Sequence, residues 1–93
     1  MDPLQTIVPR ALTILLREGP MSQGKLEIAW RAAVGDALNR VTTVRWHSDG
    51  VVEVQPSDPR WQRELRRSSS MIVSRLRSLL GHDTVTRLSV LSK

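Results

Sequence analysis

The side chains able to do chemistry in this chain are few, and most of them are cations. His47 and His82 are the two histidines; they lie far apart, and neither sits in a spacing that builds a zinc site or a nucleophile–base pair. Asp83 beside His82 reads as a turn pair after Gly81. Glu27 and Glu64 show no paired-carboxylate arrangement for acid–base work. The chain has no cysteine, which removes disulfides and cysteine–zinc sites, and no GxxxxGK[ST] or GxGxxG loop to cradle a nucleotide. Catalytic, metal-ligating and cofactor-binding residues are therefore expected to be absent, and the chain is expected not to be an enzyme.

The cations are organised. Between Asp58 and Leu80 stand Arg60, Arg63, Arg66, Arg67, Arg75 and Arg77 against Asp58 and Glu64, so this stretch holds +4 of the formal net charge of +5. The remaining eight basic and seven acidic residues almost cancel. Twelve of the fourteen basic residues are arginine, the side chain best suited to bidentate phosphate contacts; a GC-rich genome would give the same bias. An excess gathered on one helix suggests a surface for phosphates or for an acidic partner. On a helix, Arg63, Arg66, Arg67 and Arg77 fall within about 100° of one another, roughly opposite the apolar residues. They and Arg60 are the candidate nucleic-acid contacts, in a mode that is salt-dependent and blind to sequence. The plainer alternative is a solvated helix face.

The tryptophans Trp30, Trp46 and Trp61 are the chain's aromatic residues. Trp61 recurs with Leu65, Ile72, Leu76 and Leu79 at helical spacing and reads as core, as does Trp30 with Leu26 and Ala33. Trp46 adjoins His47 and the Asp49-Gly50 turn near a hairpin tip, where a partly exposed indole stacks a base or anchors a protein partner. Trp46 and His47 are the candidate partner contacts. The absence of Phe and Tyr counts against an RRM-type sheet.

These residues must be positioned by a small number of elements. Asp2-Pro3 with Gln5 reads as a helix start; Leu4, Ile7, Val8, Leu12, Leu15 and Leu16 continue with helical spacing, with Pro9 as a kink or late start, until Gly19-Pro20. Ser22 caps a second helix to about Val34, interrupted at Gly35-Asp36, with a short continuation through Asn39. The period then changes: Val41 to Trp46 alternates as a half-buried strand, Asp49-Gly50 signals a hairpin, and Val51, Val52 and Val54 form the return strand, closed by Pro56. Ser57-Asp58-Pro59 opens a long helix to Leu80, weakened in the middle by Ser68, Ser69 and Ser70 and stopped at Gly81. Thr84 to Leu91 reads as a last strand. The order helix, helix, strand, strand, helix, strand predicts an α+β fold, a small three-stranded sheet with helices packed on one face. A parallel return through the long helix would make a right-handed crossover.

Three separated signatures in this order resemble the DciA family: Trp30-Arg31-Ala32-Ala33-Val34-Gly35, then Val51-Val52-Glu53-Val54, then Asp58-Pro59-Arg60-Trp61-Gln62-Arg63-Glu64-Leu65. The close, Leu76 to Gly81 before a Val/Leu strand, fits as well. The resemblance is strongest over residues 12 to 91, within a single domain spanning 1–93. It implies a KH-like fold and a non-catalytic role in bacterial DNA replication, with binding to the replicative helicase and to DNA, single-stranded or duplex, in assistance of helicase loading. A KH-like RNA-binding module and a protein-interaction domain without nucleic-acid contact are the alternatives. A KH domain grips the nucleic-acid backbone with a GXXG loop; no Gly-x-x-Gly occurs here, and Asp36 follows Gly35 where phosphate would sit.

Ninety-three residues suffice for one modest core. No apolar run approaches the ~20 residues that cross a bilayer, and the start, with Asp2 and Pro3, lacks the basic-then-apolar pattern of a secretion signal. A cytoplasmic location is the expectation; oligomeric state is not legible.

Overall fold

The computed structural model describes residues 10–92. The expected helix start at Asp2-Pro3, together with Leu4, Ile7, Val8 and Pro9, lies outside the described residues.

Helix α1 (Arg10–Arg17) leads to α2 (Gln23–Val34), whose N-cap Ser22 accepts from the Lys25 N–H at 3.2 Å, satisfying a donor the helix itself leaves free. Gly35 ends α2 with φ +87° and ψ 167°, a region open essentially to glycine alone, and the chain restarts at once as the short α3 (Asp36–Arg40). Strands β1 (Thr42–Trp46) and β2 (Val51–Pro56) pair antiparallel, Val44 opposite Val54 and Trp46 opposite Val52. Gly50, φ +86°, turns the hairpin. Its own carbonyl accepts from the Thr86 N–H at 2.8 Å, and a Cβ there would meet the Thr84 carbonyl oxygen at 2.8 Å. Strand β3 (Arg87–Val90) adds to β2 in parallel, Val52 opposite Leu88, so the sheet runs β1-β2-β3. It is shorter than the expected Thr84–Leu91, because residues before Arg87 are held by loop contacts instead of a ladder.

The expected single helix from Asp58 to Leu80 is two helices, α4 (Pro59–Arg67) and α5 (Ser69–Leu80), parted at Ser68 with φ −91° and ψ 5°. Three consecutive serines have weak helix preference, and the interruption falls at the first of them. The expected start is present: the Asp58 carboxylate accepts from the Arg60 N–H at 2.9 Å, with Pro59 at the first helical position.

The fold is α+β, with a mixed three-stranded sheet and five helices among the described residues. Alternation places Val44, Val52 and Val54 on the buried sheet face and Thr43, Arg45, Glu53 and Gln55 on the other. Leu26, Ala29, Trp30 and Ala33 of α2, Leu65 of α4, and Ile72 and Leu76 of α5 cover the buried face and make one core. Trp30 is 1% exposed and its indole Nε1 donates to Thr42 Oγ1 at 2.9 Å, so the one polar atom of the largest core side chain is satisfied.

The free edge of β1 is partly closed by one side chain. His47 N donates to Val51 O and Ser57 N to Val41 O, which turns the backbone groups of Val44 and Trp46 away from β2. Gln23 meets both, donating from Nε2 to Val44 O at 2.7 Å and accepting from the Trp46 N–H on Oε1 at 2.9 Å. An unpaired strand edge is a template for unwanted pairing, and this glutamine occupies part of it.

Candidate nucleic-acid and partner interface

Helix α4 carries four arginines against one glutamate in nine residues. Its single fully buried residue is Leu65, and Arg60, Arg63, Arg66 and Arg67 are exposed. A helix anchored by Leu65 and half-buried Trp61 necessarily turns Arg63, Arg66 and Arg67 to solvent. The four do not share one state. Arg60 wraps back on its own N-cap, Nη2 to Asp58 Oδ2 at 3.0 Å and Nε to Oδ1 at 3.2 Å, and these contacts raise its pKa further above the ordinary arginine value. Arg67 stands 3.9 Å from Glu64, a loose one-turn pair. Arg63 and Arg66 have no ion-pair partner among the described residues. They are the cations with the least to lose on meeting a phosphate or a carboxylate.

Arg77 is elsewhere. It is half-buried on α5, and its guanidinium donates from Nε to Val85 O at 2.9 Å and from Nη2 to Thr86 O at 3.2 Å. A helical wheel places it with the α4 arginines, but it stands on α5, ten residues beyond Arg67, with its guanidinium turned onto the loop before β3. Arg75 is likewise employed, donating from Nη1 to Ala33 O at 3.1 Å and tying α5 to the end of α2.

The hairpin candidates are also placed. Trp46 is half-buried, with its ring packed against the core from the end of β1. His47 follows it, with Nε2 3.3 Å from Glu53 Oε1. Both lie on the hairpin, on the sheet and not with the α4 arginines.

A feature that sequence patterns did not single out lies beside α4. Ala33, Ala37, Leu38, Trp61, Met71 and Ile72 wall a mostly apolar cleft of about 250 Å³, with Glu64, Ser68 and Arg75 as its polar residues. Met71 is 41% exposed, and Trp61, expected in the core, is half-buried, packed against the core and lining this cleft. The signal in the sequence was Met71, an apolar residue off the buried stripe; its neighbours come from three other helices and cannot be read from spacing. No group of three or more metal-ligating side chains is gathered among the described residues, and no described helix is long and apolar enough to cross a membrane.

The family model for DciA, described as the Dna[CI] antecedent, matches residues 3–90. The chain belongs to the DciA family. That family is of a non-catalytic, helicase-loader type and is associated in general with the replicative helicase. A UPF0232 protein of Mycolicibacterium smegmatis (strain ATCC 700084 / mc(2)155) is similar at 27% identity over 70 residues, covering 75% of this chain and 36% of the relative. The match thus takes in about a third of that relative's length. No solved structure matches the chain. In this DciA domain the arginine face of α4 and the cleft lie next to each other, since Trp61, Glu64 and Ser68 line that cleft.

Proposed function

We propose that this domain is a non-catalytic accessory of bacterial DNA replication, acting in the cytoplasm, that binds the replicative helicase and holds DNA along α4 while the helicase is loaded. The match to DciA across residues 3–90 is the observation that carries this reading. The α4 surface supports it physically: Arg63 and Arg66 are exposed and unpaired among the described residues, with Arg67 beside them in a loose, exposed pair that a phosphate can displace and Arg60 held on Asp58 by two contacts. Contacts of this kind fix a strand in place without reading its bases, which suits a protein that acts wherever a helicase must be placed. Trp46 and His47 remain candidates for the protein contact, on a separate surface from the arginines. Arg77 gives two of its five N–H donors to backbone carbonyls of the loop before β3, and its part in this reading is to hold that loop.

The reading is tested by a loading assay. Unwinding of a forked DNA by the purified helicase should rise when the domain is added, without nucleotide hydrolysis by the domain alone. Replacing Arg63, Arg66 and Arg67 by Glu should remove most of the domain's DNA affinity and its stimulation while leaving the thermal melt nearly unchanged. DNA affinity that ignores both the reversal and rising salt would take DNA binding away from α4.

A further inference from the structure

We propose that the cleft between α2, α3, α4 and α5 is a docking site for an acidic amphipathic helix of a protein partner, whose apolar side chain enters between Trp61, Met71, Ala37 and Leu38. The inference rests on the reading of this chain as a partner-binding accessory and names the chemistry of what it takes.

Size comes first. A volume of about 250 Å³ lies below the roughly 300–1,000 Å³ of sites that enclose a small molecule or cofactor, and suits one or two side chains inserted from outside. Its walls are helices, the setting in which an amphipathic helix lays its apolar face into a groove.

Polarity separates a protein from a nucleobase. The Arg75 guanidinium lining the cleft is turned onto Ala33 O, and the remaining polar lining is Glu64, 3.9 Å from Arg67, and Ser68. The cleft therefore offers apolar surface and an indole, with little to read a base edge.

Charge then selects the kind of helix. Around the α4 axis, Arg60 and Arg67 stand within about 60° of Glu64 on the side away from Leu65, at 100° per residue. Both are exposed, and their pairs with Asp58 and Glu64 are open to competition from incoming carboxylates. An apolar anchor flanked by acids meets apolar walls and an arginine rim together; a basic helix meets the same rim as repulsion.

The test is a titration of the isotope-labelled domain, followed by NMR, with a synthetic helical peptide bearing two leucines one turn apart and glutamates on the flanks. Controls are the same peptide with glutamine for glutamate, the same peptide with alanine for leucine, and a thymidine oligonucleotide. The leucine–glutamate peptide should move the Trp61 indole N–H and the Ala37 and Met71 amides, and both altered peptides should bind more weakly. Ala37→Glu, at an exposed position, should weaken binding by about tenfold or more with the spectrum still dispersed; Met71→Glu should do the same. An absence of shifts at millimolar peptide would overturn the proposal. So would shifts confined to Arg63 and Arg66 that ignore Ala37→Glu, or an oligonucleotide that moves the Trp61 indole as the peptide does. Helicase binding that survives Ala37→Glu would leave the proposed function standing while removing the cleft from that interface. Absence of helicase binding by the unaltered domain would remove the function and leave peptide capture by the cleft to stand or fall on its own titration.

Discussion

Arg77 donates its Nε hydrogen to the carbonyl oxygen of Val85 at 2.9 Å, across the turn that joins α5 to β3. With the second bond to Thr86 O, one side chain fastens the loop that delivers β3 to the sheet. Charge-assisted bonds contribute about 1.5–3 kcal/mol, and of the two the one to Val85 O is partly withdrawn from water while the one to Thr86 O is exposed. Arg77→Gln should therefore lower the unfolding free energy measured by urea titration by up to about that amount while leaving DNA affinity close to that of the parent. Loss of DNA affinity at unchanged stability would return Arg77 to the α4 face.

Trp30 and Trp61 should behave differently although both stand on helices near the core. Trp30 is buried with its indole N–H on Thr42, so Trp30→Ala should cost about 3–5 kcal/mol. Trp61 is half-buried and lines the open cleft, and Trp61→Ala should cost distinctly less. Equal losses in parallel denaturant titrations would mean that Trp61 is core after all.

Gly50→Ala should destabilise by about 1–3 kcal/mol. The cause is local: φ is +86°, and the added Cβ would meet Thr84 O at 2.8 Å and Thr86 Cγ2 at 3.0 Å. A melt unchanged by the substitution would show that the hairpin turn and the β3 loop are not packed as described.

The Arg31 Nε hydrogen bond to Asp36 Oδ1, 2.6 Å long, holds the Asp36 carboxyl below its ordinary value, and the Arg31 charge adds to this. A depressed carboxylate stabilises the fold above its unfolded pKa, and that contribution is lost as pH falls through the lower folded value. An NMR titration of Asp36 should show a midpoint below that of a free aspartate, rising toward it in Arg31→Gln. An identical midpoint in the two proteins would mean the pair does not form in solution.

Most of the fold was legible because its signals are local. Ser22 and Asp58-Pro59 declare helix starts by what their side chains and rings can do, and Val41–Trp46 with Asp49-Gly50 declares a hairpin by alternation and turn chemistry. The interruption at Ser68 was visible only as weakness, since serine preference is a matter of a few tenths of a kcal/mol and packing decides the outcome. The exposure of Arg63, Arg66 and Arg67 was legible, because at one or two residues from buried Leu65 a helix turns them about 100° or more away from it. Arg77 was not, because what employs it is a backbone loop eight and nine residues on, and no wheel shows where a loop returns. The cleft was hidden for a related reason: its walls come from four helices, and only their packing brings Ala37 to face Met71 and Trp61 across one opening.

The central claim is direct contact with the replicative helicase, and a binding titration of the purified domain against purified helicase tests it most directly. A specific contact needs on the order of 800 Å² from each partner. Saturable binding at micromolar concentration is predicted, weakened by the triple arginine reversal in a salt-sensitive way if α4 takes part, and by Trp46→Ala in a salt-tolerant way if the hairpin does. No binding by the unaltered domain at high micromolar concentration would contradict the account.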